Sequence, residues 1–464
     1  MTIYASARAT QSEGTSRHAG PASTHATRRR IKPSWRQAVD IVAQIDGGTV
    51  SAETVVDECL CRIAEREPLV KAWAWLDATA ARRSAQSLPA RQHSQSLYGV
   101  PVGIKDIIDT ADMPTSYGSA LYSEHRPATD AVVVARLRAA GAIIMGKTVT
   151  TEFAYVHPGP THNPHHLDHT PGGSSSGSAA AVADGMVPLA LGSQTGGSTI
   201  RPSAYCGVVG FKPSFAAVNM EGVRPLAPSM DAIGIHARSV ADVALVYPVI
   251  AGLRQPPANN SKTPIQSRLR IGYFPGPHAA EAHADARDAL ERAASQMTAS
   301  GMDVVPVDLP LHLFAELGAA NRIIMAYEAA RVAGGDYDRG REILGPSTRE
   351  LIETGRGTTA KDYGQARELT MTCRKVFAQM MCRVNMLLTF SAPGEAPRQS
   401  DGTGSSIFNR AWTTIGAPCL TLPFGYGSSH TLPLGIQLVS ACGGDSALLE
   451  GGARVEQSLQ VCGG

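Results

Sequence analysis

The chain has 464 residues, 43% of them hydrophobic and 18% charged, which is ordinary for a globular protein able to bury a large core. Lys and Arg number 42 against 40 Asp and Glu, and this net charge of +2 gives no electrostatic reason to expect nucleic acid or an anionic membrane as a partner. No apolar run is long enough to predict a membrane span, and the eight Cys form no C-x-x-C pair, which favours reduced thiols in a cytoplasmic protein.

The first 32 residues predict a disordered tail. They are rich in Ser, Thr, Ala and His, contain one acidic residue among the first 30, Glu13, and end in a basic stretch at Arg28–Arg30. Because the segment lacks an apolar stretch, we expect no secretory signal, although an Arg-rich, acid-poor start is also a feature of organelle transit peptides. Residues 33–464 are expected to form one folded domain.

The elements that follow are predicted from periodicity and turn residues. Two helices come first, the second starting behind Ser51 as N-cap. The predicted elements up to residue 198 are helices at 35–46 and 52–65, a strand at 99–105, a helix at 130–140, a strand at 142–145, a polar loop at 157–177, a helix at 179–184, a strand at 187–191 and a Gly-rich turn at 192–198. Alternation of apolar strands and helices predicts an α/β layered fold.

Composition changes in the second half of the chain. Residues 254–268 resemble a surface linker, and residues 311–385 predict a mainly helical insertion with Gly-rich breaks at 334–340 and 355–357. The other predicted elements are a strand at 269–274, a helix at 281–300 and strands at 386–390, 419–423 and 434–439. The late strands indicate that one sheet is completed after the helical insertion.

Two Gly-Gly-Ser turns are the densest chemical signal. Ser174 follows two glycines, and Ser198 follows two more, 24 residues later. Glycines allow the backbone to approach a substrate, and consecutive N–H groups can stabilise an oxyanion. A serine hydroxyl needs a base to become a nucleophile. Five histidines at 157–169 and Lys105 are both candidates, and from spacing alone Lys105 also fits a surface lysine in a β-turn.

Several ordered segments resemble the amidase-signature family of amide hydrolases. The most characteristic is Cys206–Pro213, with sequence CGVVGFKP. The others are Gly99–Asp106, Leu137–Ala154, Asn163-Pro164, Pro171–Ser178, Gly196–Pro213, Ser229–Gly234, Phe408-Asn409, Gly416–Pro418, Leu432–Gln437 and Asp445. The match extends over about residues 50–250 and again 386–456. It implies a single large domain with a central twisted mixed β-sheet flanked by helices on both faces.

The resemblance also assigns roles to residues. It implies Lys105 as base, Ser174 as the bridging serine after a cis Gly173–Ser174 bond, and Ser198 as nucleophile. It places the oxyanion hole at the backbone N–H groups of Thr195, Gly196, Gly197 and Ser198. It requires no metal and no cofactor. We expect Ser175, Gln194, Arg201 and Asp231 to support these groups.

The chain departs from the family pattern at three places. Ser193-Gln194 stands where the family usually has Thr-Asp, which removes a negative charge beneath the site. Ser176 replaces a glycine, and Arg201 comes three residues after the nucleophile rather than two. These changes leave the three central positions occupied but alter the surrounding electrostatics.

Three competing motifs are disfavoured by their context. Residues 141–148 fit the phosphate-loop pattern, but the sequence between the glycines predicts a strand rather than a flexible loop. The stretch Gly173–Gly177 fits G-x-S-x-G with Ser175 as nucleophile, but a loop precedes it instead of a strand. The His cluster at 157–169 has only Asp168 as an acidic partner, and a polar rim of the cleft is favoured over a metal site.

We therefore expect hydrolysis of a small-molecule carboxylic amide through an acyl-enzyme on Ser198, a reaction that can extend to aryl amides or carbamates (urethanes). The alternative within the family is the glutaminase-type A subunit of a tRNA-dependent amidotransferase. The near-neutral charge and Gln194 favour the first. A monomer or homodimer without nucleic-acid or membrane partners is expected, with the pocket lined from residues 311–385 and 392–412.

Overall fold

Eleven strands in the described part of the chain form one mixed sheet. The computed structural model describes residues 35–92, 95–253 and 268–460. The strands are β1 (Trp73–Leu76), β2 (Pro101–Lys105), β3 (Ile143–Thr148), β4 (Leu189–Gln194), β5 (Val209–Lys212), β6 (Ala232–Ala237), β7 (Arg270–Tyr273), β8 (Asp303–Pro306), β9 (Met386–Phe390), β10 (Cys419–Tyr426) and β11 (Pro433–Val439). Six of them, β2 to β6 and β9, are buried along their whole length, which explains their largely apolar sequences.

The strand order is β1-β3-β2-β4-β6-β5-β10-β11-β9-β7-β8. Strand β2 pairs in parallel with both β3 and β4, and β7 pairs in parallel with both β8 and β9. The remaining pairs are antiparallel. Strands β9, β10 and β11 therefore complete the sheet late in the sequence, as predicted. The carboxyl ends of β2, β3 and β4 meet at one edge, where α/β proteins place their ligands.

Fourteen α-helices accompany this sheet in the described residues. They are α1 (Ala38–Asp46), α2 (Ala52–Val70), α3 (Ala78–Gln86), α4 (Val132–Ala139), α5 (Ser176–Ala183), α6 (Ile200–Cys206), α7 (Val240–Ala251), α8 (Ala284–Ala299), α9 (Leu311–Val332), α10 (Gly334–Gly340), α11 (Pro346–Gly357), α12 (Ala360–Met381), α13 (Ile407–Thr414) and α14 (Asp445–Gln460). The predicted α/β class with a mixed sheet is confirmed. No helix in residues 35–92, 95–253 and 268–460 is long and apolar enough to cross a membrane.

The helical region at 311–385 corrects one prediction. The Gly-rich stretch at 334–340, predicted to be a break, forms α10, and the predicted break at 355–357 is the last turn of α11. Gly355 is tolerated there because α11 packs closely on α9. A Cβ at Gly355 would lie 1.8 Å from the carbonyl oxygen of Ala326. The glycine thus serves helix packing, which composition alone does not distinguish from a turn.

Two predictions fall mostly on residues without a structural description. The tail at 1–32 and nearly all of the linker at 254–268 lie outside the described residues. The division of the chain into a tail, a catalytic domain and a substrate-pocket insertion therefore stays a prediction.

Candidate active site

Lys105 is the last residue of β2 and is fully buried. Its Nζ lies 2.7 Å from Oγ of Ser174 and 2.8 Å from Oγ of Ser193, at the end of the adjacent strand β4. Because β2 and β4 are parallel neighbours, their carboxyl ends bring the lysine and the second serine turn to the same edge of the sheet. From the sequence alone, Lys105 could also have been a surface lysine in a β-turn. Its complete burial excludes that interpretation.

The environment of Lys105 favours the neutral amine. Burial lowers the pKa of Lys105 well below its ordinary value, and the charge of Asp231 opposes this shift only in part. The two hydrogen-bonding partners of Nζ are uncharged hydroxyls, and no carboxylate in the described residues lies within ion-pair distance. An amine surrounded in this way can act as a base near neutral pH.

Ser174 follows a cis peptide bond from Gly173 and is fully buried. The carbonyl oxygen of Gly173 accepts a hydrogen bond of 2.6 Å from Nη2 of Arg201. Burial lowers the pKa of Arg201 to about 10, so its guanidinium remains a donor at neutral pH. Arg201, one of the predicted supporting residues, therefore fixes the backbone immediately before Ser174.

Ser198 lies between β4 and α6 and lines a small cavity. The cavity measures about 90 Å³, smaller than pockets for drug-sized ligands, and suits a small substrate. Ser175 N–H donates to the carbonyl oxygen of Ser198 over 3.3 Å, which brings the two serine turns side by side. The described residues include no hydrogen-bond partner for Ser198 Oγ, so its link to Ser174 is not formed in this conformation.

The backbone N–H groups beside Ser198 are available to a ligand. Those of Gly196, Gly197 and Ser198 have no acceptor among the described residues, and all three residues line the cavity together with Thr195. A Cβ at Gly197 would lie 2.5 Å from Oδ1 of Asn409, so a side chain does not fit there. The turn thus leaves three backbone donors free beside the cavity, and its role as an oxyanion hole stays a prediction.

The side chains of Gln194 and Asp231 form hydrogen bonds with residues of this turn and of the helix that follows it. Oε1 of Gln194 accepts from the N–H groups of Thr199 and Ile200 at 2.9 and 3.0 Å, which stabilises the start of α6. Oδ1 of Asp231 accepts from the hydroxyl of Thr195 at 2.5 Å. Burial raises the pKa of Asp231. Both residues contact the turn or the helix that follows it, and their supporting roles stay predictions.

Ser175 also supports the turn. Its hydroxyl donates to the carbonyl oxygen of Ser193 and accepts from the Ser193 N–H, each at 3.2 Å. Both of these hydrogen bonds of Oγ are to backbone atoms, and Ser175 is fully buried. This placement argues against the G-x-S-x-G interpretation, in which Ser175 would be the exposed nucleophile.

The other disfavoured motifs have ordinary structural roles. The phosphate-loop pattern falls on strand β3, and its Lys147 is buried, with Nζ 2.6 Å from Oγ1 of Thr115. The ring nitrogens of His162, His165 and His169 lie against backbone carbonyls, and no group of three potential metal ligands occurs in the described residues.

Sequence reasoning missed several contacts around the turn. Ser193 is a second hydroxyl partner of Lys105. Oγ1 of Thr413 donates to the carbonyl oxygen of Gly196 at 2.8 Å, and Nδ2 of Asn321 donates to that of Thr195 at 3.1 Å. The only sequence signal for Ser193 is its position next to Gln194. Thr413 and Asn321 come from helices more than one hundred residues away, and no local pattern marks them.

Comparisons with known proteins show the family of this chain. Residues 54–449 match the sequence model of the family described as Amidase. The A subunit of the glutamyl-tRNA(Gln) amidotransferase of Roseiflexus castenholzii is 32% identical, over 90% of this chain and 94% of that protein. A solved structure described as an amidase superposes with a TM-score of 0.83 at 29% identity, over 91% of this chain and 100% of the other. The peptide amidase of Stenotrophomonas maltophilia gives a TM-score of 0.78 at 28% identity, over 91% of this chain and 97% of the other. The chain therefore belongs to the amidase-signature family.

Proposed function

We propose that this chain hydrolyses a carboxylic amide C–N bond through an acyl-enzyme on Ser198, releasing an acid and ammonia or an amine. The observation that carries the proposal is the buried amine of Lys105, which lies 2.7 Å from the hydroxyl of Ser174 and beside a turn with free backbone donors. Membership of the amidase-signature family supports the same reaction.

The first half of the reaction moves one proton along the serines. Neutral Lys105 uses its lone pair to accept the proton of Ser174 and donates an N–H to Ser193. Ser174 in turn accepts the proton of Ser198, whose oxygen forms a bond to the substrate carbonyl carbon. Because Ser198 Oγ has no hydrogen-bond partner among the described residues in this conformation, the step requires its hydroxyl to come within hydrogen-bond distance of Ser174 Oγ.

The negative charge that develops on the carbonyl oxygen would be stabilised by the backbone N–H groups of residues 195–198. The removal of one such donor typically slows turnover by about 10²–10³-fold. The tetrahedral intermediate then breaks its C–N bond, and the proton returns through Ser174 to the leaving nitrogen. Water cleaves the acyl-enzyme by the same relay in a second step. Aryl amides and carbamates have the same carbonyl chemistry and are included in the proposal.

Covalent labelling tests the nucleophile. An acyl-fluorophosphonate probe should label the wild-type protein but not Ser198→Ala. Ser176→Ala is a matched control because the Ser176 hydroxyl makes only a 3.4 Å contact with the carbonyl oxygen of Val149. Labelling that persists in Ser198→Ala would refute the assignment. A panel of p-nitroanilides, anilides and carbamates, run on wild type and Lys105→Ala, tests the base.

A second candidate is the glutaminase-type A subunit of a tRNA-dependent amidotransferase. The identity of 32% with the A subunit of a glutamyl-tRNA(Gln) amidotransferase favours it, whereas the likeness to an amidase and a peptide amidase favours a free hydrolase. Gel filtration combined with an ammonia assay distinguishes the two. A free hydrolase releases ammonia from simple amides as a purified chain. An amidotransferase component would be inactive by itself and would hydrolyse glutamine only with its companion proteins.

A further inference from the structure

One arginine in the cavity has no role in the relay. Arg410 lies on α13, is partly buried and lines the same cavity as Ser198. Its Cγ lies 3.8 Å from the position that a Cβ on Gly196 would occupy. The aliphatic part of the side chain thus packs beside the turn with the free N–H groups.

The guanidinium of Arg410 has no hydrogen-bond or ion-pair partner in the described residues. Burial and the charge of Arg322 both lower the pKa of Arg410, and Tyr155 opposes this shift. In contrast, the other arginine at the cavity, Arg201, donates to the carbonyl oxygen of Gly173. A partly buried guanidinium without a partner can form charge-assisted hydrogen bonds to an anion bound in the cavity.

The remaining lining of the cavity, among the described residues, contains no carboxylate. It comprises small, apolar and hydroxyl side chains, including Ser405 and Ser406, together with the two arginines. An anionic group would therefore meet two guanidinium groups and no side chain of like charge, while an ammonium group would meet no side chain of opposite charge among the described lining residues. The excess of positive charge comes from the cavity lining and does not involve Lys105 or Ser174.

We propose that Arg410 binds a carboxylate of the substrate and that the preferred substrates are monoamides of small dicarboxylic acids. The inference rests on the proposed hydrolysis at Ser198 and specifies its substrate class. One water cleaves the C–N bond, so that a dicarboxylate and ammonia are formed. Glutamine, which adds an ammonium group to the glutarate monoamide, should be the poorer substrate because the described lining has no carboxylate for it.

Matched substrates and variants test the proposal. Ammonia release is measured from the monoamides of succinate, glutarate and adipate, from neutral pentanamide and from glutamine. In wild type, kcat/KM for the best monoamide should exceed that for pentanamide and glutamine by about 10–100-fold, the range expected for a charge-assisted hydrogen bond. Arg410→Gln should remove most of this ratio through KM, and Arg410→Lys should restore part of it. Arg383→Gln, which removes an exposed arginine after α12, should keep the ratio of wild type.

A second readout does not depend on turnover. Glutarate should slow fluorophosphonate labelling of Ser198 more strongly than neutral pentanol in wild type, and the two compounds should protect equally weakly in Arg410→Gln. Equal rates for charged and neutral amides, equal protection by glutarate and pentanol, or a ratio unchanged in Arg410→Gln would each overturn the inference while leaving hydrolysis intact. Failure of the proposed function is a different result, namely no labelling of Ser198 and no release of ammonia from any amide.

Discussion

Replacement of Lys105 by methionine should change how stability depends on pH. The side chain is fully buried between two hydroxyls, and burial lowers its pKa well below 10.5. Methionine has a similar length and no titrating group. The Lys105→Met variant therefore isolates the contribution of this one amine to the free energy of unfolding, independently of any substrate.

The magnitude follows from proton uptake. Above pH 10.5 the amine is neutral in both the folded and the unfolded chain and carries no protonation penalty. As the pH falls below that value, only the unfolded chain takes up the proton. The free energy of unfolding of wild type then falls by about 1.4 kcal/mol per pH unit relative to the variant. The loss is complete once the pH is below the pKa of Lys105 in the folded protein.

Urea unfolding at intervals of about one pH unit measures this difference, since one pKa unit corresponds to about 1.4 kcal/mol. Lys361→Met, which removes an exposed lysine of α12, is the matched control. The stability of wild type minus that of Lys105→Met should rise with pH in the window between the two pKa values of Lys105. A difference that stays constant across this range would show that Lys105 titrates like a free lysine, and it would refute the neutral base.

Three further substitutions and one control substitution test the surroundings of the turn. Gly197→Ala should slow amide hydrolysis by about 10²-fold or more because its Cβ would collide with Asn409. Gly318→Ala in α9, where the new Cβ meets nothing within 4 Å, should preserve the rate and add about 0.5–1 kcal/mol of stability. Gln194→Ala leaves two N–H groups without an acceptor and should lower the free energy of unfolding in urea by about 1–3 kcal/mol. Arg201→Met should lower both stability, by a similar roughly 1–3 kcal/mol, and the labelling rate of Ser198.

A different result would contradict each of these three predictions. Wild-type rates in Gly197→Ala would mean that the carbonyl oxygen does not bind at this turn. Unchanged urea midpoints in Gln194→Ala would mean that water replaces the amide at the start of α6. A loss of stability in Arg201→Met without a change in labelling would make that arginine purely structural.

Much of the fold can be predicted because the central strands are short apolar runs bounded by turn residues. The strand predicted at 386–390 has those bounds in the structure. Strand β1 (Trp73–Leu76) escapes prediction because four residues at the sheet edge give too little pattern. Strand β6 (Ala232–Ala237) is hidden for another reason. Gly234 and His236 interrupt its apolar run, although all six residues are buried.

The site also contains residues that the sequence predicts and one that it does not. Lys105, Ser174 and Ser198 stand out in the sequence because they fall in segments that resemble a family, and the first two lie 2.7 Å apart. Arg410 does not stand out, since a lone arginine on a helix has no local signature. Its significance depends on which residues are absent from the described lining around it, and that information exists only after distant segments have come together.

Gln194 illustrates how a departure from a family pattern can preserve a site. The amide keeps an acceptor for the start of α6, and its Nε2 donates to Thr413, which in turn holds the carbonyl oxygen of Gly196. A carboxylate could fill the acceptor role but would add a negative charge one residue from Ser193, which contacts Lys105. Such a charge would favour the ammonium form of the lysine. The neutral side chain at 194 therefore retains the hydrogen bonds of the turn while it helps to keep the proposed base uncharged.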